Sequence, residues 1–164
     1  ANVPVTPPAT PSPTPPIISK TDSEWLTIFD FGIYYQESRC GSNYGDFESE
    51  YRGVTEDAMD DILTKKNRNN YDDECIKYYN SAGISVRNDN VQKLCSKAYL
   101  FLMKDRWKTW ESAIKHYAYQ DTNYTKKISG AVYLNNYGTD CSVLLKNKPE
   151  QKALLDNSKN FNWP

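Results

Sequence analysis

The chain has 164 residues, a quarter of them charged, with 20 basic against 21 acidic side chains and a formal net charge of −1. That length fits one domain with enough chain to bury a core. A near-neutral, mixed-sign chain has no cation excess to neutralise phosphates, which argues against nucleic acid and anionic lipid as partners, and no apolar run approaches the roughly 20 residues that span a bilayer.

Residues 1 to 16 read ANVPVTPPATPSPTPP and hold seven of the nine prolines and no charge. Proline fixes its own φ and pushes the preceding residue out of the helical region, so residues 1–18 are expected to form an extended arm. Such an arm serves as a spacer, O-glycosylated on Thr6, Thr10, Ser12 and Thr14, or lies along a partner or a second copy of the chain. Ala1 is what would remain after removal of a signal peptide, so an exported chain is expected.

A single helical domain is expected over residues 19–164. Thr21, Asp22, Ser23 and Glu24 match a capping box, and Trp25, Ile28, Phe29 and Ile33 recur at helical spacing, so a first helix runs to about Ser38. The stretch from Gly41 to Gly45 has the composition of a loop. A second helix starts at Thr55 with Ala58, Met59, Ile62 and Leu63 on its apolar face. Glu56 and Asp57 suit the positive end of its dipole, and Lys65 and Lys66 the negative end. A third runs from about Asp72 to Asn80 and stops at Gly83.

Asn88 or Asp89 caps a fourth helix with no Gly or Pro before Tyr119. Its stripe begins as Val91, Cys95, Ala98 and Leu102 and resumes as Met103, Trp107, Trp110, Ile114 and Tyr117, displaced by about one residue, or roughly 100° of rotation. Either the helix breaks near Lys104 and Asp105, or it is one central helix buried on two faces; the second is expected. Ile128 to Leu134 fits strand or helix. A short helix from Thr139 and a last one opening at Pro149, with Leu154 and Leu155 inward, complete a mainly α fold of five to six helices around a long central one. Phe161 and Trp163 are then exposed or tucked back.

The four cysteines, Cys40, Cys75, Cys95 and Cys141, include no closely spaced pair and share the chain with one histidine, so a zinc site is not expected and two disulfides are. Cys75 lies about six residues before the turn near Ala82, and Cys95 about six residues into the next helix, which sets them level in an antiparallel hairpin. The expected pairs are Cys75 with Cys95 and Cys40 with Cys141. Asn123, Tyr124 and Thr125 form a glycosylation sequon.

Chemistry-bearing patterns are few. A nucleophilic triad would need His116, which sits beside the aromatic stripe as a packing residue, and no serine or cysteine has the turn glycines that expose a nucleophile. Asp46, Glu48 and Glu50 alternate like some calcium ligands but lack the EF-hand glycine and distant glutamate. No metal or cofactor is expected.

Glu37 stands apart. It closes an aromatic-rich helix ahead of a glycine loop, and a glutamic acid held in an apolar setting keeps its proton and can donate it to a glycosidic oxygen. Gln36-Glu37-Ser38 resembles the catalytic-glutamate segment of lytic transglycosylases, although the Gly-Leu-Met-Gln type segment of that family is absent. The leading expectation is an exported, non-enzymatic structural or interaction protein whose arm and aromatic surface engage partners or assemble the chain. The alternative is a glycan-cleaving, lysozyme- or transglycosylase-like enzyme with Glu37 as general acid.

Overall fold

The computed structural model describes residues 20–41, 52–119, 121–136, 141, 152, 154 and 156–164. Among them the regular structure is helical: α1 (Asp22–Ser38), α2 (Glu56–Leu63), α3 (Asn70–Ser81), α4 (Asp89–Trp107), α5 (Trp110–Tyr117) and α6 (Tyr124–Asn136). The arm, the candidate calcium residues Asp46, Glu48 and Glu50, the helix expected from Thr139 and the start expected at Pro149 lie outside the described residues.

The helix starts follow from side-chain caps that satisfy free backbone amides. Thr21 and Glu24 form the reciprocal capping box of α1, and the Thr55 hydroxyl accepts from the Ala58 amide at the start of α2. Asn69 caps α3 two residues earlier than expected, because Asp72 is the reciprocal partner of that cap and not the helix start. Lys65 and Lys66 fall beyond α2, which ends at Leu63. Lys65 folds back onto the buried Asp72 carboxylate, an ion pair that joins α2 to α3.

The fourth helix is not one helix to Tyr119; it breaks at Lys108, a few residues beyond the Lys104–Asp105 alternative. Lys108 is left-handed at φ 69, its amide bonds to Lys104 O, and the Thr109 hydroxyl then caps α5 by accepting from the Ser112 amide at 3.2 Å. The one-residue shift in the stripe therefore marks a change of helix direction. Even so α4 is central, packing against α1, α2, α3 and α5.

Two cores flank it. Leu26, Phe29 and Ile33 of α1, Leu100 and Met103 of α4, Ile114 of α5 and Ile128 of α6 form the larger. Phe29 is its aromatic hub, stacked on Trp25 at 5.3 Å and on Trp163 at 5.4 Å, with Phe161 edge-on, so the C-terminal aromatics are tucked back. The smaller joins Val54, Met59 and Ile62 to Cys75 and to Val91, Cys95 and Ala98. Cys75 is bonded to Cys95 inside it, and Cys40 is bonded to Cys141 at the end of α1.

Helices α1 and α6 are antiparallel. A β-carbon on Gly32 would stand 2.7 Å from Val132 Cγ2 and 3.3 Å from Ile128 Cβ, so the missing side chain is what lets the two helices close. That contact brings the C-terminal end of α1 beside the N-terminal end of α6. Among the described residues, no helix is long and apolar enough to cross a membrane.

Candidate active site

Glu37 lies where the end of α1 meets the start of α6. Its Oε1 accepts from the Tyr124 hydroxyl at 2.7 Å. The carboxyl is part-buried at a cleft of about 390 Å³, which Gln36, Gly53, Thr55, Tyr117, Tyr119 and Lys127 help to line. That volume falls in the range of small-ligand sites.

Another wall is the non-helical segment from Arg52 to Thr55. It has no helical partner, so side chains hold it. The buried Gln92 of α4 accepts from the Arg52 and Val54 amides at 3.2 and 3.0 Å and donates to Val54 O and Val86 O. The Tyr117 hydroxyl donates to Arg52 O at 2.5 Å. The Arg52 guanidinium pairs with buried Asp30 at 2.9 Å and lies over the Tyr34 ring, while Ser96 donates to Asp30 at 2.6 Å. Three helices, α1, α4 and α5, are thus tied to this one segment.

The segment carries Gly53 against Glu37. Gly53 sits at φ 74, and a β-carbon there would stand 3.0 Å from Glu37 Cδ. Glycine is needed twice over, for the left-handed backbone and for the close approach to the carboxyl.

Burial pushes the Glu37 carboxyl above the ordinary glutamate value of 4.5, and the Tyr124 hydrogen bond and the Lys127 charge offset this only in part. Burial likewise raises Tyr117 and Tyr124 well above the usual phenol range, with the Glu37 charge adding to it. Both phenols stay protonated and act as donors. Asp121, on the same cleft, behaves oppositely. The Asn123 amide at 2.9 Å and the Lys127 ammonium at 3.1 Å hold its carboxyl below 3.8. One cleft therefore holds a carboxyl biased towards its acid and another biased towards its anion, the pattern that separates acid from base roles.

Of the residues singled out from sequence, Glu37 is in the cleft. Cys40 follows it by three positions. Asn123 is exposed just before α6, and Cys75 and Cys95 belong to the smaller core. His116 stacks on Trp107 at 3.6 Å and its Nδ1 lies 2.8 Å from Ser112 O, clear of the cleft. Among the described residues, no group of three or more His, Cys, Asp or Glu side chains is placed to hold a metal. A second depression of about 360 Å³ runs along α1 past Glu24, whose exposed carboxyl is occupied in capping that helix.

Sequence reading missed Gly53, Tyr117, Tyr119, Asp121, Tyr124 and Lys127 as partners of Glu37. The usable signals were a polar Gln92 within the α4 stripe and an Asp30 between Phe29 and Phe31. Comparison with protein-family models, with curated proteins and with solved structures finds no match for this chain.

Proposed function

We propose that the chain is a glycan-cleaving enzyme with Glu37 as its general acid. The observation that carries this reading is the Glu37 carboxyl itself, part-buried beside an open cleft, biased towards its protonated form and oriented by Tyr124. With Oε1 engaged by Tyr124, the proton belongs on Oε2, and its transfer to a glycosidic oxygen breaks the bond from that oxygen to the anomeric carbon. The electron pair leaves with the protonated oxygen. Water or a hydroxyl of the sugar attacks the cationic carbon and returns a proton to the Glu37 carboxylate. Asp121, held as its anion beside Lys127, is the second carboxylate on the same cleft.

Two disulfides are compatible with an oxidising compartment, which supports a site of action outside the cytoplasm, where structural polysaccharides lie. Glu37→Gln should lower cleavage of peptidoglycan or chitin by at least about 100-fold, with helical circular dichroism unchanged. Cleavage at the wild-type rate by the folded variant would return the chain to the non-enzymatic class. The arm on which partner binding and self-assembly were expected lies outside the described residues, and that role stands as a separate proposal. It is tested by deleting residues 1–16 and measuring mass against concentration.

A further inference from the structure

Resting on the glycan reading, we infer that Tyr119 is the platform on which a pyranose ring stacks beside Glu37. Large hydrophobic side chains that stay exposed among the described residues are Tyr78, Ile84, Trp107 and Tyr119. Tyr119 is the most exposed of them, at 69%, and of these four it alone lines the cleft with Glu37. An aromatic left this open is not there for the core.

Its backbone points the same way. Tyr119 stands two residues past the end of α5 at φ 54. Left-handed residues just past a helix end are usually glycine, because a β-carbon is disfavoured there, and a bulky side chain at such a position is retained against its local preference. Strained backbone of this kind collects at sites of function.

The side chain is also anchored at its far end. The Tyr119 hydroxyl and Thr55 Oγ1 are 3.0 Å apart, and Thr55, the cap of α2, lines the same cleft. The ring therefore bridges from the end of α5 to the start of α2 with both ends fixed. A ring held that way loses little side-chain freedom when a ligand lands on it. Pyranose rings present an axial C–H face to such a surface, while Gln36, Thr55, Asp121 and Lys127 around the same cleft supply partners for the hydroxyls at the ring edge. The ligand class is thus a pyranose oligosaccharide, seated with one sugar on Tyr119 and the next bond at Glu37.

The test uses the full chain carrying Glu37→Gln, so that the probe is bound and not cut. Titration calorimetry with the N-acetylglucosamine hexamer, and in parallel with cellohexaose and a soluble peptidoglycan fragment, identifies the sugar. Adding Tyr119→Ala should weaken binding of the preferred probe roughly tenfold or more, the scale of one aromatic contact. Tyr119→Phe, which keeps the ring and loses the bridge to Thr55, should stay within about threefold of the parent. Tyr119→Gly, which suits the backbone, should melt no lower than the parent while binding as poorly as the alanine variant. Equal affinity with and without the ring, or failure of all three probes to bind the parent, overturns the platform. Ring-dependent binding of a probe that wild-type protein never cleaves would support the platform while ending the general-acid reading.

Discussion

At the scale of single residues, what distinguishes Glu37 is that its surroundings oppose its charge. Because burial raises its folded value above the 4.5 of an exposed glutamate, the native state holds a proton the unfolded chain has already released. Glu37 adds stability below pH 4.5 and loses that contribution as pH rises through its raised native value. Glu37→Gln carries no charge to desolvate. Its melting temperature at pH 7 should equal or exceed that of wild type, with the gap closing as pH falls through the raised native value towards 4.5. A variant that melts lower at pH 7 would show the carboxylate to be a structural anchor. Tyr124→Phe removes the hydrogen bond that favours the carboxylate. The alkaline limb of kcat/KM should then move to higher pH, since that limb reports the free enzyme's acid. A limb that stays in place would dissociate it from Glu37.

At the scale of helices, the site depends on how closely α1 and α6 run. Gly32→Ala should gain about 1 kcal/mol of helix propensity, yet its β-carbon would press on Val132 and Ile128, and overpacking of a tight core costs about 1–3 kcal/mol. The contact term wins, so the variant should melt lower and, by moving α6 away from α1, lose activity although Gly32 does not line the cleft. Unchanged kcat would mean that Tyr124 reaches Glu37 without that approach. The starts of α1 and α2 were legible in the sequence because Thr21 with Glu24 and Thr55 are local capping signals. The break at Lys108 was not, because a lysine stands where a glycine would have announced the left-handed residue. The site was half legible. Glu37 showed itself by its place at a helix end, but Gly53 and Tyr124 reach it from 16 and 87 residues downstream. Such distances are bridged by Gln92, Asp30 and Arg52, whose spacing follows no local period.

At the scale of the molecule, the two disulfides carry unequal mechanical weight. Cys75–Cys95 staples neighbouring helices 20 residues apart and lies wholly buried in the smaller core. Cys40–Cys141 closes 101 residues, a loop that takes in the whole path from the end of α1 through α6, and both its cysteines are only partly buried. Loop-closure entropy assigns about 5 kcal/mol to the longer link against about 3 kcal/mol to the shorter. Exposure decides which opens first, since thiol–disulfide exchange needs a thiolate to reach the sulfur. Graded dithiothreitol in native buffer should therefore open Cys40–Cys141 first, and alkylation with peptide mapping should recover Cys40 and Cys141 labelled while Cys75 remains linked to Cys95. Cys40 follows Glu37 by three residues across the left-handed Arg39, so the end of α1 should loosen on reduction. Glycan cleavage is then expected to fall at reductant concentrations that leave helical circular dichroism intact. Labelling of Cys75 and Cys95 first, or a Cys40–Cys75 peptide from the unreduced protein, would break this ordering, and full activity after selective loss of Cys40–Cys141 would show that α6 and the Arg52–Thr55 segment hold Glu37 in place without it.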